Sequence, residues 1–304
     1  MKTADVILLA GPTASGKSRL ALELARRHGG IVINADSMQV YGNLRVLSAR
    51  PSPEDEAAAP HRLYGHVGAE TRYSVGAWLD DVAVALGEAR AAGALAIVVG
   101  GTGLYFKALT EGLATIPQIP PSLRARLLAD AVDHNSAVLH AQLAAIDAED
   151  AAAIRPSDRS RIVRALEVFT ATGKSLAAWK RAAASCPLVD PAAATRLVLM
   201  PERAEIHRRI AARAELMVHS GGIEEARALG ALNLNPDLPA MKAIGVGELL
   251  DHIAGKTSVD EALAAIKTET RRYAKRQTTW FRNQMGDWKT VESAVALDLR
   301  GPPA

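Results

Sequence analysis

Behind the short apolar run "DVILLA" stands "GPTASGKS", residues 11–18, and no other stretch restricts the fold so tightly. The spacing G-x-x-x-x-G-K-[ST] turns backbone N–H groups inward on phosphate oxygens, and a following helix adds the partial positive charge of its N-terminus. The pattern works only where a buried strand enters the loop and a helix leaves it. Both are predicted here. "DVILLA" is uniformly apolar, as a strand covered on both faces is. "SRLALELARRHGG" sets Leu20 and Leu24 on one helical face and ends on Gly29 and Gly30. Gly11, Pro12, Thr13, Ala14, Ser15, Gly16, Lys17 and Ser18 are the candidate phosphate loop, with Lys17 on terminal phosphate oxygens and the Ser18 hydroxyl on Mg²⁺.

The rest of the chain is read around that loop. "GIVINADS" is predicted as a second strand ending on Asp36 and Ser37, and residues 42–73, rich in Pro, Gly and charge, as a long loop with little regular structure. "VGAWLDDVAVALGEARAAG" reads as a helix, "ALAIVVGGTG" as a third strand and "TRLVLMPER" as a fourth, followed by a helix over "AEIHRRIAARAELMVHSGG". Strands alternating with helices imply an α/β core, a parallel sheet covered by helices on both faces. Residues 111–194 carry helical periodicity and no strand signal, so they are predicted as an all-helical insertion between two halves of the core, 1–110 and 195–304. From about residue 240 the chain reads as helical again.

Composition narrows the class. Of 304 residues, 49% are hydrophobic and 4% aromatic, which suits a soluble, helix-rich protein with a full core. A net charge of +3 is too small to demand a polyanionic partner by itself, so the placement of the basic residues matters more than their sum. Cys186 is the one cysteine; it excludes an intramolecular disulfide and a cysteine metal cluster and fits a reducing compartment. The first residues lack the order of a signal peptide and no apolar run reaches membrane length. The expectation is a cytoplasmic protein for which a monomer suffices.

Three further stretches carry chemistry. Asp36 falls at the carboxyl end of a strand, the edge where open parallel sheets hold ligands. It suits a metal's outer shell, a general base, or a helix N-cap. "VVGGTGLY" ends its strand without the acidic residue that nucleotide hydrolases often place there, and offers Thr102 and a run of glycines, fit either for close backbone approach or for a tight strand-to-helix turn. In "KTETRRYAKRQTTWFRNQ", Arg271, Lys275 and Arg282 share one helical side, with Arg272 and Arg276 adjacent. A basic stripe beside Tyr273, Trp280 and Phe281 suits a nucleic-acid backbone; the plainer reading is a solvated helix anchored by its aromatics. Arg155, Arg159, Arg161 and Arg164 form another basic cluster in the insertion. The histidines, His28, His61 and His66 among them, show no metal-ligand spacing.

"GPTASGKS", "ADSMQVY", "YSVGAW", "VVGGTGLYFKAL", "RALEV" and "AKRQTTWFRNQ", in this order from about residue 5 to 290, resemble the signatures of the tRNA dimethylallyltransferases, in their bacterial form. The resemblance implies transfer of a dimethylallyl group from dimethylallyl diphosphate to N6 of the adenosine just 3′ of the anticodon. It makes Asp36 the catalytic base, Thr102 its helper in positioning the acceptor, and Lys17 with Ser18, Mg²⁺ and Arg213 the grip on the departing diphosphate. It assigns tRNA contact to Asp36, Ser37, Met38, Gln39, Thr102, Arg124, Ser160, Arg161, Ile162, Val163 and Arg164; Lys242 and, from the basic stripe, Arg271, Arg272, Lys275 and Arg276 are further candidates for tRNA contact. The chain departs from the family pattern at Val246 and Gly247, after "MKAIG", and at "GNLRVLSARP", after Tyr41. Two other activities fit the same loop: a small-molecule kinase, and prenylation of free adenine nucleotides.

Overall fold

The computed structural model describes residues 6–114, 116–117, 119–182 and 186–293. Six strands, β1 (Val6–Ala10), β2 (Ile31–Asn34), β3 (His61–Arg62), β4 (Ala96–Gly100), β5 (Thr195–Leu199) and β6 (Lys289–Val291), form one sheet in the order β3-β2-β4-β1-β5-β6. Every neighbouring pair is parallel. β1 lies between β4 and β5, so the candidate phosphate loop leaves from the middle of the sheet.

Alternation along β1 divides the core. Leu8 and Ala10 point to one face, where they join Ile33, Val98 and Val198 under Trp78, Phe106 and Phe281. Ile7 and Leu9 point to the other, where they meet Leu20, Ala21, Leu24 and Ala25 of α1 (Lys17–His28). Leu8 and Leu9 have no exposed surface. Burial of such side chains is worth about 1.5–3 kcal/mol each. The first face is covered by α3 (Val75–Ala91), α4 (Gly103–Glu111) and the end of α13 (Val259–Gln284). A second apolar cluster packs Val40, Tyr41, Leu44 and Leu47 against α10 (Arg203–Met217), α11 (Ile223–Ala231), α12 (Val246–Ile253) and the first half of α13.

The chain divides into two compact units, one made of residues up to Thr110 and from Leu188 onward, the other Glu111–Pro187. The second unit holds α5 (Pro121–Val132), α6 (Ser136–Ile146), α7 (Ala148–Ala153), α8 (Arg159–Thr172) and α9 (Leu176–Ala182), and has no strand among the described residues. Its own core is built on Leu139, Leu143, Ile162, Ala165 and Leu166.

Several expectations need correction. Residues 42–73 are not a plain loop. Ser52 caps α2 (Pro53–Ala58) through a reciprocal capping box with Asp55, and β3 follows. The capping box was legible as Ser, Pro and two acids; a two-residue strand has no period to read. The strands predicted as third and fourth are therefore β4 and β5. The chain after residue 240 is not helical throughout, because β6 extends the sheet beside β5. The helical unit stops at Pro187 rather than 194: the Leu188 and Val189 N–H groups donate to Leu109 O, back in the sheet unit. Finally, β2 ends at Asn34, and residues 37–40 form turns, so Asp36 caps no helix.

Candidate active site

Three loops meet at the carboxyl edge of the sheet, after β1, β2 and β4. The first is the candidate phosphate loop. Gly16 has φ 94°, a left-handed conformation that closes the loop and starts α1. Ala14 also lies at positive φ, 63°. The turn is fixed by Ser15 N–H donating to Pro12 O at 3.2 Å. Arg209, from α10, donates to Ser15 O at 2.8 Å, and Arg213, one turn on, donates to Thr13 Oγ1 at 2.7 Å. The resemblance placed Arg213 at the diphosphate; the fold brings it onto the loop.

Lys17 opens α1 with its ammonium donating to Pro12 O at 3.3 Å. Burial pushes its pKa down to about 8, against the opposing pull of Asp36; Arg213 adds a smaller push in the same direction as burial. Burial likewise lowers Arg213, and Asp36 again opposes it. Two cations and one carboxylate thus share a poorly hydrated site, with the cations in excess. Such a site favours an anion.

Asp36 is held two residues beyond β2 by Asn34, which has no exposed surface. The Asn34 amide donates to Asp36 O at 2.9 Å and Leu63 O at 3.0 Å, while its Oδ1 accepts from Asp36 N–H at 2.8 Å. Beneath it, Trp78 donates its indole N–H to Asn34 O at 2.8 Å and stacks on Tyr105 at 4.3 Å. Asp36 Oδ1 accepts from Met38 N–H at 3.0 Å. The carboxylate also pushes up the phenols of Tyr105 and Tyr273, after the larger effect of burial.

Thr102, after β4, joins the second loop directly. Its Oγ1 accepts from Ser37 N–H at 2.9 Å and donates to Ser37 Oγ at 3.3 Å. Met38 is half-buried against the second cluster, and the Gln39 amide donates to Ser48 O and Ala49 O. Of the four residues from Asp36 to Gln39, therefore, Gln39 has its donors engaged by its own loop.

The glycines after β4 serve close approach, but to protein. A Cβ at Gly101 would lie 2.3 Å from Gln277 Nε2 and 3.2 Å from Asp36 Oδ2; one at Gly103 would lie 2.1 Å from the Trp280 ring. Gln277 and Trp280 come from α13, which closes over the loops. Asn34 and Gln277 carried no motif of their own in the sequence. Asn34 lies in the predicted strand "GIVINADS" just before a signature and Gln277 sits inside "AKRQTTWFRNQ", and only their burial reveals what they hold.

The remaining candidates lie elsewhere. On α13, Arg271, Arg272, Lys275 and Arg276 are exposed; Arg272 pairs with Glu269 at 2.6 Å and Arg276 lies 5.7 Å over the Tyr273 ring. Phe281 and, more loosely, Trp280 anchor the helix in the core, so of the three aromatics only Tyr273 joins the basic face. Lys242 is exposed and paired with Asp237. In the helical unit, Ser160 and Arg161 are exposed and Arg124 and Arg164 both flank the buried Glu167, at 3.5 and 3.3 Å. The Ile162 and Val163 side chains are buried, 0% and 8% exposed, and face that unit's core, because α8 turns them inward between its polar positions. A contact of either residue with RNA would fall to its backbone.

Among the described residues no group of three or more His, Cys, Asp or Glu is gathered for a metal. Ser18, exposed on the first turn of α1, offers one hydroxyl beside the loop. A single protein oxygen together with phosphate oxygens and water suits Mg²⁺, which keeps much of its hydration.

Comparison with known proteins places the chain. The family model described as IPP transferase matches residues 39–284, and that described as isopentenyl transferase matches residues 4–66. The tRNA dimethylallyltransferase of Methylobacterium nodulans is 54% identical over 97% of this chain and 98% of its own length. That of Azorhizobium caulinodans is 52% identical over 96% and 93%. Among solved structures, the tRNA isopentenylpyrophosphate transferase of Bacillus halodurans aligns with a TM-score of 0.66 at 33% identity, over 94% of this chain and 89% of that one. A eukaryotic dimethylallyltransferase acting on tRNA aligns with a TM-score of 0.80 at 25% identity, over 95% and 73%.

Proposed function

This chain belongs to the IPP transferase family, and from that premise we propose that it transfers a dimethylallyl group from dimethylallyl diphosphate to N6 of the adenosine 3′-adjacent to the anticodon in tRNA, releasing diphosphate. The observation that carries the chemistry is the pairing of one carboxylate, Asp36, with two desolvated cations, Lys17 and Arg213, at the edge of the sheet.

The reaction breaks a carbon–oxygen bond, and the diphosphate departs with the electron pair. The loop amides, Lys17 and Arg213 hold that growing negative charge in fixed positions before it appears, the arrangement that lowers a barrier most effectively. The acceptor is a poor nucleophile, because the N6 lone pair is delocalised into the adenine ring. As the new N–C bond forms, Asp36 takes the N6 proton. Thr102 and Ser37, hydrogen-bonded to each other, position the base beside it. Mg²⁺ held by Ser18 and the diphosphate supplies further charge neutralisation to the leaving group when bound.

To reach Asp36 the adenine leaves the stack of the anticodon loop. The basic face of α13 meets RNA phosphates, and the helical unit contributes Arg124, Ser160, Arg161 and Arg164. Among the described residues no helix is long and apolar enough to cross a membrane; a cytoplasmic monomer meets every requirement of this reaction.

The test is direct. Anticodon stem-loops carrying the target adenosine are incubated with the protein and dimethylallyl diphosphate, digested, and their nucleosides weighed. One dimethylallyl unit on that adenosine is the expected result. A parallel incubation of free AMP, ADP and ATP separates an RNA acceptor from a nucleotide one.

A further inference from the structure

Gln277 is a neutral side chain with a demanding position. It is 6% exposed, on the inward face of α13. Its Oε1 accepts from the Thr13 N–H of the phosphate loop at 2.8 Å, and its Nε2 donates to Gly101 O at 2.8 Å. The two bonds fix which end of the amide is which. Gly101 immediately precedes Thr102, whose hydroxyl carries the Ser37 N–H. Thr13, at the other end, presents its hydroxyl to Arg213. One buried amide thus joins the loop proposed to hold the leaving group to the loops that carry Thr102, Ser37 and Asp36.

We propose that Gln277 is a positioning residue: it sets the spacing between the diphosphate cradle and the Thr102–Asp36 side of the site, and occupies the Thr13 amide so that the donor's phosphates are met by the loop amides beyond it. The inference rests on the reading of residues 11–18 as a diphosphate cradle. Two features of the structure require the arrangement. The Gly101 carbonyl is buried and the Thr13 N–H partly so, and both need partners. Gly101 carries no side chain at the point where any Cβ would strike both Gln277 and Asp36.

The test separates positioning from mere stability. Gln277→Met is close in shape and makes neither bond. Calorimetry of dimethylallyl diphosphate binding without RNA is expected to show about tenfold weaker binding, because the loop, no longer braced, has to be ordered as the donor binds. The affinity for an anticodon stem-loop stays within about twofold, since the outer face of α13 is untouched. Unchanged donor binding by the variant, with wild type binding normally, overturns the role of Gln277; failure of wild type to bind the donor overturns the diphosphate cradle itself. Gln277→Glu adds a signature that loss of stability does not produce. A protonated carboxyl offers one acceptor and one donor, as the amide does; the carboxylate offers only acceptors. Donor affinity relative to wild type, compared at each pH so that Lys17 and Asp36 cancel, recovers as the pH is lowered. A flat ratio overturns the proposal. If neither variant folds, hydrogen exchange of the wild-type Thr13 amide decides: it is expected to be protected before and after donor is added, and fast exchange in the free protein overturns the assignment.

Discussion

Lys17 and Asp36 act through the same electrostatics. Burial holds the free Lys17 ammonium to a pKa of about 8, well under its usual value. Donor binding supplies the missing anion and raises that value, so affinity for dimethylallyl diphosphate falls as pH rises through about 8. Titration calorimetry across pH 6.5–9.5 checks this, and in Lys17→Met the inflection disappears with most of the affinity. Stability responds in the opposite sense. Between about 8 and the unfolded lysine value near 10.4, the unfolded chain keeps a proton that the folded chain has released, so the ligand-free protein gains stability as pH rises across that window. For Asp36 the structure removes the capping role, because turns follow it. Asp36→Asn keeps the Oδ1 that accepts from Met38 N–H, so the loop is retained while the base is lost. Turnover is expected to drop roughly 10²–10⁴-fold with little change in KM for tRNA; a variant that turns over normally removes Asp36 from proton transfer.

At the scale of elements, α13 does two jobs with two faces. The inner face sends Gln277 and Trp280 into the spaces left by Gly101 and Gly103. Gly103→Ala places a Cβ 2.1 Å from the Trp280 ring; the helix has to shift, at about 1–3 kcal/mol, seen as a lower melting temperature together with a loss of kcat. On the outer face the cations are unequal. Arg272 and Arg276 already have Glu269 and the Tyr273 ring as partners, whereas Arg271 and Lys275 are exposed on the same side. Changing Arg271 and Lys275 to Gln preserves helix propensity. KM for tRNA is expected to rise, KM for dimethylallyl diphosphate to hold, and the slope of log K against log salt to flatten by about 0.7–0.9 for each phosphate no longer neutralised. An unchanged slope identifies the stripe as a solvated face.

At the scale of the molecule, two units with separate cores divide the work. The sheet unit contains every residue assigned to bond making and breaking. The helical unit stands on its own apolar cluster, centred on Leu143 and Ile162, both fully buried. Ile162→Ala therefore tests stability rather than RNA contact. It is expected to cost about 2–5 kcal/mol and to speed hydrogen exchange across residues 121–182, while binding of dimethylallyl diphosphate without RNA is unchanged. Direct loss of RNA affinity with normal exchange would place the Ile162 side chain on the RNA-binding surface.

What the sequence determined was local and periodic. "DVILLA" followed by "GPTASGKS" specified a buried strand, a tight glycine turn and a helix, because uniform apolarity, glycine spacing and a lysine at the helix start each act over a few residues. The alternation of strands with helices implied the parallel sheet, and Ala-rich periodicity marked the helical unit. What only the tertiary structure decided was which distant residues meet. β3 and β6 are too short to carry a period and exist through their neighbours, β2 and β5. The side chains of Ile162 and Val163 lie inside a stretch of basic residues, and only the packing of α8 turned them inward. The glycines after β4 permitted either a close approach or a tight turn, and sequence offered no means to choose. The choice fell to α13, which begins more than 150 residues later and fills those spaces with an amide and an indole, since side-chain volume and hydrogen-bond satisfaction are settled across space and not along the chain.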